Sequence, residues 1–295
     1  MSYKRKTVAA ADLTPTLFDL AVDAPKRQCS ERELAIPGVR VGTSAFTAAG
    51  WSGSFYPAHL NPRDYLSYYA RQFSTVEIDS TFYACPPAGR FTRWYEETPP
   101  DFVFALKVPQ IVTHDKCLLG CEREFDEFIG RAILLGDKLG PLVLQFGHFA
   151  KEQFRTPSVF FNRLRFFLQH SKGVSCRFAV EIRNKEWLTA EFADLLRNYG
   201  AALILQDRSG MPLPSAIDFD YVTADFSYVR LLGDRHGIER WTRVWDKEIV
   251  DRTKELASWV DVCQRIVRRG ISMYVYINNH YGGHAPATVA QFVGL

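Results

Sequence analysis

Arg177-Phe178-Ala179-Val180-Glu181-Ile182-Arg183 is the stretch on which the fold turns. Side chains of an extended strand alternate between two faces. Phe178, Val180 and Ile182 make one face wholly apolar, while Glu181 and Arg183 stand together on the other. Val76-Glu77-Ile78-Asp79 repeats the pattern, with both carboxylates opposite the two aliphatic residues. Tyr274-Val275-Tyr276-Ile277-Asn278 sets two tyrosines and an asparagine opposite Val275 and Ile277. Lys107 lies opposite Leu106 and Val108, and Gln145 opposite Leu144 and Phe146. Asp207 closes a sixth such run, and Arg230 sits beside Tyr228 in a seventh.

Working outward from these, eight short β-branched or aromatic runs are spread through the chain: Val39–Ser44, Thr75–Phe82, Phe102–Pro109, Pro141–Gly147, Arg177–Arg183, Ala201–Asp207, one within Tyr221–Leu232, and Ser272–Asn279. Helical patterns separate them, over Pro62–Phe73, Cys121–Leu139, Pro157–His170, Trp187–Tyr199 and Lys247–Arg269. Strand–helix alternation points to a parallel sheet with helices outside. Eight repeats of about 32 residues match the βα units of a TIM-like (β/α)8 barrel. A doubly wound open sheet is the competing architecture. It has fewer strands and a glycine-rich first turn, where this chain has Gly42-Thr43-Ser44-Ala45-Phe46.

In a barrel the apolar faces pack on the helices, and polar groups at the strand ends converge on the C-terminal mouth. Glu77, Asp79, Lys107, Gln145, Glu181, Arg183, Asp207, Arg230 and Asn278 are therefore expected to form one ring. Glu77 and Glu181 are the candidate acid and base, with Asp207 and with His114, which follows the third run. Lys107, Arg183 and Arg230 would hold negative charge, Asn278 would orient a substrate, and Asp79 and Gln145 would contact it. Gly282-Gly283, before a last helix that opens near Pro286, suggests backbone N–H groups turned to a phosphate or carboxylate. The competing expectations are a purely structural charge network and an ordinary glycine turn.

The 295 residues are 47% hydrophobic and 23% charged, with a net charge of +3. That balance belongs to a globular protein and excludes a disordered chain or a collagen-like repeat. Mild basicity allows an anionic ligand and falls short of a dedicated nucleic-acid binder. Residues 1–36 lack periodicity and read as a mobile extension, with the barrel as a single domain over 37–295. Within the extension, Leu17-Phe18-Asp19-Leu20 resembles a short motif that docks on the bacterial sliding clamp, although Thr14 stands where a leading Gln is usual. The alternative is that Leu17 and Phe18 pack back on the barrel. No apolar run is long enough to span a membrane and no secretory signal is legible, so a cytoplasmic protein with reduced cysteines is expected. Cys117 and Cys121, at i and i+4, are expected on one helix face.

No G-x-S-x-G, H-E-x-x-H or P-loop motif occurs. Taken in order, VGTSAF at Val41, FYP at Phe55, TVEIDSTFY at Thr75, FVFALKVPQIVTHD at Phe102, LVLQF at Leu142, RFAVEIRNKEW at Arg177, YVRLLG at Tyr228 and YVYINNHYGG at Tyr274 resemble the DUF72, or YecE-like, family. The resemblance spans roughly Val39 to Leu295. It implies a TIM-like barrel and no settled activity; relatives have been linked to sugar isomerases by fold analogy. Phe46 stands where the family usually has Trp, Asp79 where it has Asn, and Leu232 where it has His.

Three functions remain open at this level. The first is an enzyme, isomerase-like or hydrolase-like, acting on a small polar, anionic or sugar-like substrate, with no cofactor expected. The second is a metal-dependent phosphodiesterase of endonuclease IV type acting on nucleic acid, in which Glu77, Asp79, His114, Glu181 and Asp207 would hold a divalent metal. The third is a non-catalytic binding module, to which the basic and aromatic stretch Arg235–Trp245 could contribute.

Overall fold

A computed structural model describes residues 36–295 of the protein. The expectations for the extension, including Leu17 and Phe18, fall outside the described residues. Eight strands follow: β1 (Val39–Thr43), β2 (Thr75–Ile78), β3 (Val103–Lys107), β4 (Leu139–Gln145), β5 (Phe178–Glu181), β6 (Ala202–Arg208), β7 (Phe226–Gly233) and β8 (Ser272–Ile277). All pair in parallel, in the order β1-β8-β7-β6-β5-β4-β3-β2. Outside them run α1 (Tyr65–Gln72), α2 (Ala88–Glu96), α3 (Glu122–Ala132), α4 (Pro157–His170), α5 (Ala190–Asn198), the short α6 (Arg235–Ile238), α7 (Thr253–Val267), the short α8 (Asn279–Gly282) and α9 (Ala285–Val293). The architecture is the expected TIM-like barrel.

Local chemistry starts and stops the elements. Pro157 opens α4, where its missing N–H is no loss, and the Thr189 hydroxyl accepts from Phe192 N at the start of α5. α7 buries Leu256, Trp259, Val260, Cys263 and Ile266 at helical spacing. The run from Thr75 ends as a strand at Ile78, because Ser80–Phe82 winds into a 3-10 turn. The helix expected over Cys121–Leu139 is shorter. It ends at Ala132, and the 3-10 turn that follows breaks at Gly136, whose φ is +50°. Cys117 and Cys121 do not share a helix face: Cys117 lies in a loop at φ +46°, and Cys121 precedes α3.

Two apolar cores flank the sheet. The larger joins strands to helices. The smaller fills the barrel and is lopsided: Ala105, Val143, Ala179 and Ala202 from β3–β6 face Phe226, Tyr228, Tyr274 and Tyr276 from β7–β8. Small residues on one side leave room for rings to reach across, which keeps the interior close-packed.

The ring closes between β1 and β2 through a side chain. The Tyr69 hydroxyl of α1 accepts from Thr43 N at 2.9 Å and donates to the Thr75 carbonyl at 3.2 Å. Gly42 permits the approach, since a Cβ there would lie 2.1 Å from the Thr75 carbonyl oxygen. A barrel has no free edge only if this seam is satisfied.

Candidate functional site

Arg230, at the C-terminal half of β7 and 4% exposed, organises the mouth. Its Nη2 donates to Glu77 Oε1 at 2.8 Å and its Nη1 to Glu181 Oε2 at 2.5 Å. Tyr228 reaches across the barrel and donates its hydroxyl to Glu77 Oε2 at 2.6 Å, and Arg183 Nε donates to Glu181 Oε1 at 3.0 Å. All four oxygens of the two fully buried glutamates are thus engaged. Burying ions is tolerable only with such partners, and guanidinium forks supply them best. Burial would raise Glu181, but Arg230 and Arg183 outweigh it and hold its carboxyl below the usual range. Burial would likewise lower Arg230, and Glu77 and Glu181 reverse that shift.

Around this core stand groups with no such partner. Lys107, at the end of β3, has no carboxylate within salt-bridge distance among the described residues; its Nζ lies 3.7 Å from the centroid of the Phe82 ring. Burial, then the neighbouring Arg230, bring Lys107 down to about 8, against the pull of Glu181, Glu77 and Asp79. Burial, then Glu77, raise Asp79 to about 6, although Arg230 and Lys107 oppose the shift. His114 packs its ring edge-on to Phe82, with Nδ1 2.9 Å from the Thr113 hydroxyl. Burial and then Lys107 keep it below the ordinary histidine value. Arg208, the last residue of β6, is also lowered, by burial and then by Arg183. Three buried polar atoms, Arg230 Nε, Gln145 Nε2 and Gln206 Oε1, have no protein partner among the described residues. Orphaned buried groups of this kind call for water or a ligand.

A family model described as "Protein of unknown function DUF72" matches residues 40–295. The chain belongs to the DUF72 family. A crystal structure of a DUF72 family protein from Thermotoga maritima is 28% identical, with a TM-score of 0.67 over 87% of this chain and 97% of that one. UPF0759 protein YecE of Escherichia coli strain K12 is 38% identical over 80 residues, 27% of this chain and 29% of YecE. UPF0759 protein YunF of Bacillus subtilis is 28% identical over 152 residues, 48% of this chain and 51% of YunF. The matched stretches therefore span about half or less of these curated relatives. A D-psicose 3-epimerase crystallised in the presence of D-fructose shares the fold at 10% identity, with a TM-score of 0.50 over 81% of this chain and 84% of that one.

The structure brings Glu77, Asp79, Lys107, Gln145, Glu181, Arg183 and Arg230 of this DUF72 chain into one electrostatic cluster at the mouth, with His114 beside Lys107. Four expected members are placed otherwise. Asp207 faces outward with Leu203 and Leu205, and its Oδ2 accepts from Trp259 Nε1 at 2.8 Å and the Tyr281 hydroxyl at 2.9 Å. Asn278 caps α8, accepting from His280 N at 3.0 Å. Gly282 and Gly283 are packed against the loop ahead of α7: Gly282 O accepts from Ile249 N and Val250 N, and a Cβ on Gly283 would lie 2.7 Å from Ile249. The start of α9 is filled by the chain itself, with Ala285 N on Asn279 Oδ1 and Ala287 N on His284 Nδ1. That leaves no open anion seat there.

Arg208, Gln206 and Tyr228 are the members not singled out in the sequence. Their signal was present. Ala202, Ile204, Gln206 and Arg208 alternate on one face, but apolar residues on both faces of β6 obscured which face was inward. Every oxygen of the two glutamates is engaged by an arginine or by Tyr228. Among the described residues, no three His, Cys, Asp or Glu side chains come together as metal ligands.

Proposed function

We propose that this protein is an enzyme that binds a small polar, anionic or sugar-like substrate at the C-terminal mouth of its barrel. One observation carries the reading: among the described residues the cluster sets Lys107, Arg183, Arg208 and Arg230 against Glu77, Asp79 and Glu181, and neither Lys107 nor Arg208 has a carboxylate within salt-bridge distance. Fixed cations in a partly desolvated mouth attract an anion more strongly than they would in water. Arg230 and Arg183, locked by the glutamates, are pre-organised donors. The orphaned Gln145 Nε2 and Arg230 Nε supply further donors, and Gln206 Oε1 an acceptor for a hydroxyl. Asp79 and Lys107, both displaced toward neutrality, are the groups suited to give and take protons.

The phosphodiesterase reading receives less support, because two of the carboxylates it requires as ligands, Glu77 and Glu181, are bonded to arginine and tyrosine, and Asp207 is held by Trp259 and Tyr281 on the outer face. The test is thermal melting at pH 7 in sulfate and in chloride at equal ionic strength, for the wild type and Arg208→Gln. An occupied native site is stabilised by mass action, and each kcal/mol raises Tm by about 2–4 °C at this size. Sulfate is expected to raise Tm beyond chloride in the wild type, and the excess should vanish in Arg208→Gln. An equal excess in both proteins would mark general salt exclusion and overturn the reading.

A further inference from the structure

We propose that Lys107 is an imine-forming nucleophile, whose Nζ adds to the carbonyl carbon of a substrate that also carries negative charge. This rests on the anion-binding reading above and narrows it to oxo-acids and phosphorylated aldehydes or ketones.

The placement of the amine is the reason. A lysine that only balanced the buried glutamates would reach one of their oxygens, yet all four are taken by Arg230, Arg183 and Tyr228. Lys107 instead sits at the C-terminal end of an inner strand, with Nζ against the face of Phe82. The charged groups around it are Arg230 from β7, Glu181 from β5, and Glu77 and Asp79 from β2, with His114 beside it and Arg183 and Asp115 acting on His114. A second cation beside an amine in a desolvated site favours its neutral, nucleophilic form. At about 8, a useful fraction of Lys107 is unprotonated near neutral pH. The same Arg230 that disfavours the ammonium would, with Arg208 at the end of β6, hold the substrate's anionic group.

The chemistry balances without an added oxidant or reductant. The Nζ lone pair forms the C–N bond, and the carbonyl π pair moves to oxygen, which takes up the proton lost from nitrogen to give a carbinolamine. The C–O bond then breaks, and the hydroxyl leaves as water with a proton from the carboxyl of Asp79, raised toward neutrality and electrostatically coupled to Lys107. The product is a protonated imine beside the Asp79 carboxylate. It draws electrons from the adjacent carbon, and addition of water reverses the sequence.

The test treats the full chain with dihydroxyacetone phosphate or with uncharged dihydroxyacetone, each with cyanoborohydride, and maps reduced adducts by peptide mass spectrometry from pH 6 to pH 10. Labelling by the phosphate at Lys107 is expected to exceed that at other lysines at least tenfold, on the order of one active-site pKa unit or more of reactivity. It should be half-maximal near pH 8, whereas surface lysines continue to gain toward 10. Lys107→Arg, which keeps the charge, should lose the adduct. Labelling spread evenly over the lysines overturns the proposal, and equal labelling by the uncharged ketone overturns its anionic part. The sulfate shift separates the two readings. If sulfate stabilises the protein and Lys107 is not labelled, the imine step fails and the anion site stands. If neither occurs, both fail.

Discussion

At the scale of single residues, Glu181 shows how burial dictates role. A carboxylate at full burial needs its oxygens satisfied, and Arg183 and Arg230 satisfy them. Removing it leaves Arg230 buried with half its partners and frees Arg183. Glu181→Ala is therefore expected to lose about 3–5 kcal/mol, the range for breaking a buried ion pair from one side. Glu181→Gln, which keeps an acceptor, should lose less. Urea unfolding at pH 7 measures both, and a loss below about 1 kcal/mol for the alanine variant would contradict the charge-holding role. Lys107 shows the opposite case. It is buried with its Nζ on the face of Phe82 and no carboxylate within salt-bridge distance among the described residues.

At the scale of elements, the β1–β2 seam sets this barrel apart from a sheet with regular ladders throughout. Neighbouring strands elsewhere pair through backbone ladders, but here Thr43 N and the Thr75 carbonyl meet through the hydroxyl of a helix residue. Tyr69→Phe keeps the ring and its packing while stranding both groups. Each buried unsatisfied backbone group costs about 1–3 kcal/mol, so the variant should lose about 2–4 kcal/mol after partial relaxation. Hydrogen exchange should show the Thr43 amide opening well before amides of β7. Unchanged protection at Thr43 would mean that the seam is held by something else. α9 belongs to the same scale. Its first turn is capped by His284 and Asn279, which is why a helix start after two glycines offers no anion seat.

At the scale of the whole molecule, the mouth makes stability depend on pH. Asp79 titrates at about 6 in the fold against an ordinary 3.8. Between those values the folded chain holds a proton that the unfolded chain releases, so rising pH favours unfolding. The contribution is fully present below 3.8 and lost as pH passes 6. Lys107, at about 8 against 10.5, acts above that window: there the unfolded chain holds the extra proton, and stability recovers as pH rises from 8 to 10.5. Asp79→Asn is expected to stabilise the protein at pH 7 by about 1–3 kcal/mol and to flatten the decline between pH 4 and 6. Melting curves over that range check it, and a variant less stable than the wild type at pH 7 would show the Asp79 carboxylate to be a net favourable partner of Lys107 and Arg230.

Alternation along short runs was enough to place Glu77, Lys107, Gln145, Glu181 and Arg230 on inner faces, because strand periodicity is a local property of the backbone. Eight such runs at regular spacing were enough for the barrel. The motif order pointed to the family by resemblance. Where a strand is apolar on both faces, periodicity loses its meaning, and in β6 Asp207 faces outward to Trp259. Beyond a strand's last paired residue it also has no authority, and Asn278 and Gly283 turned away from the ring to serve the helices that follow. Tertiary structure alone decided which charges meet. That Arg230 would hold both glutamates, that Tyr228 would cross the barrel to Glu77, and that Lys107 would be left over all depend on how eight strands from distant parts of the chain are brought round one axis. Pairing among buried charges is settled by distance and desolvation in three dimensions, and neither is written in sequence spacing.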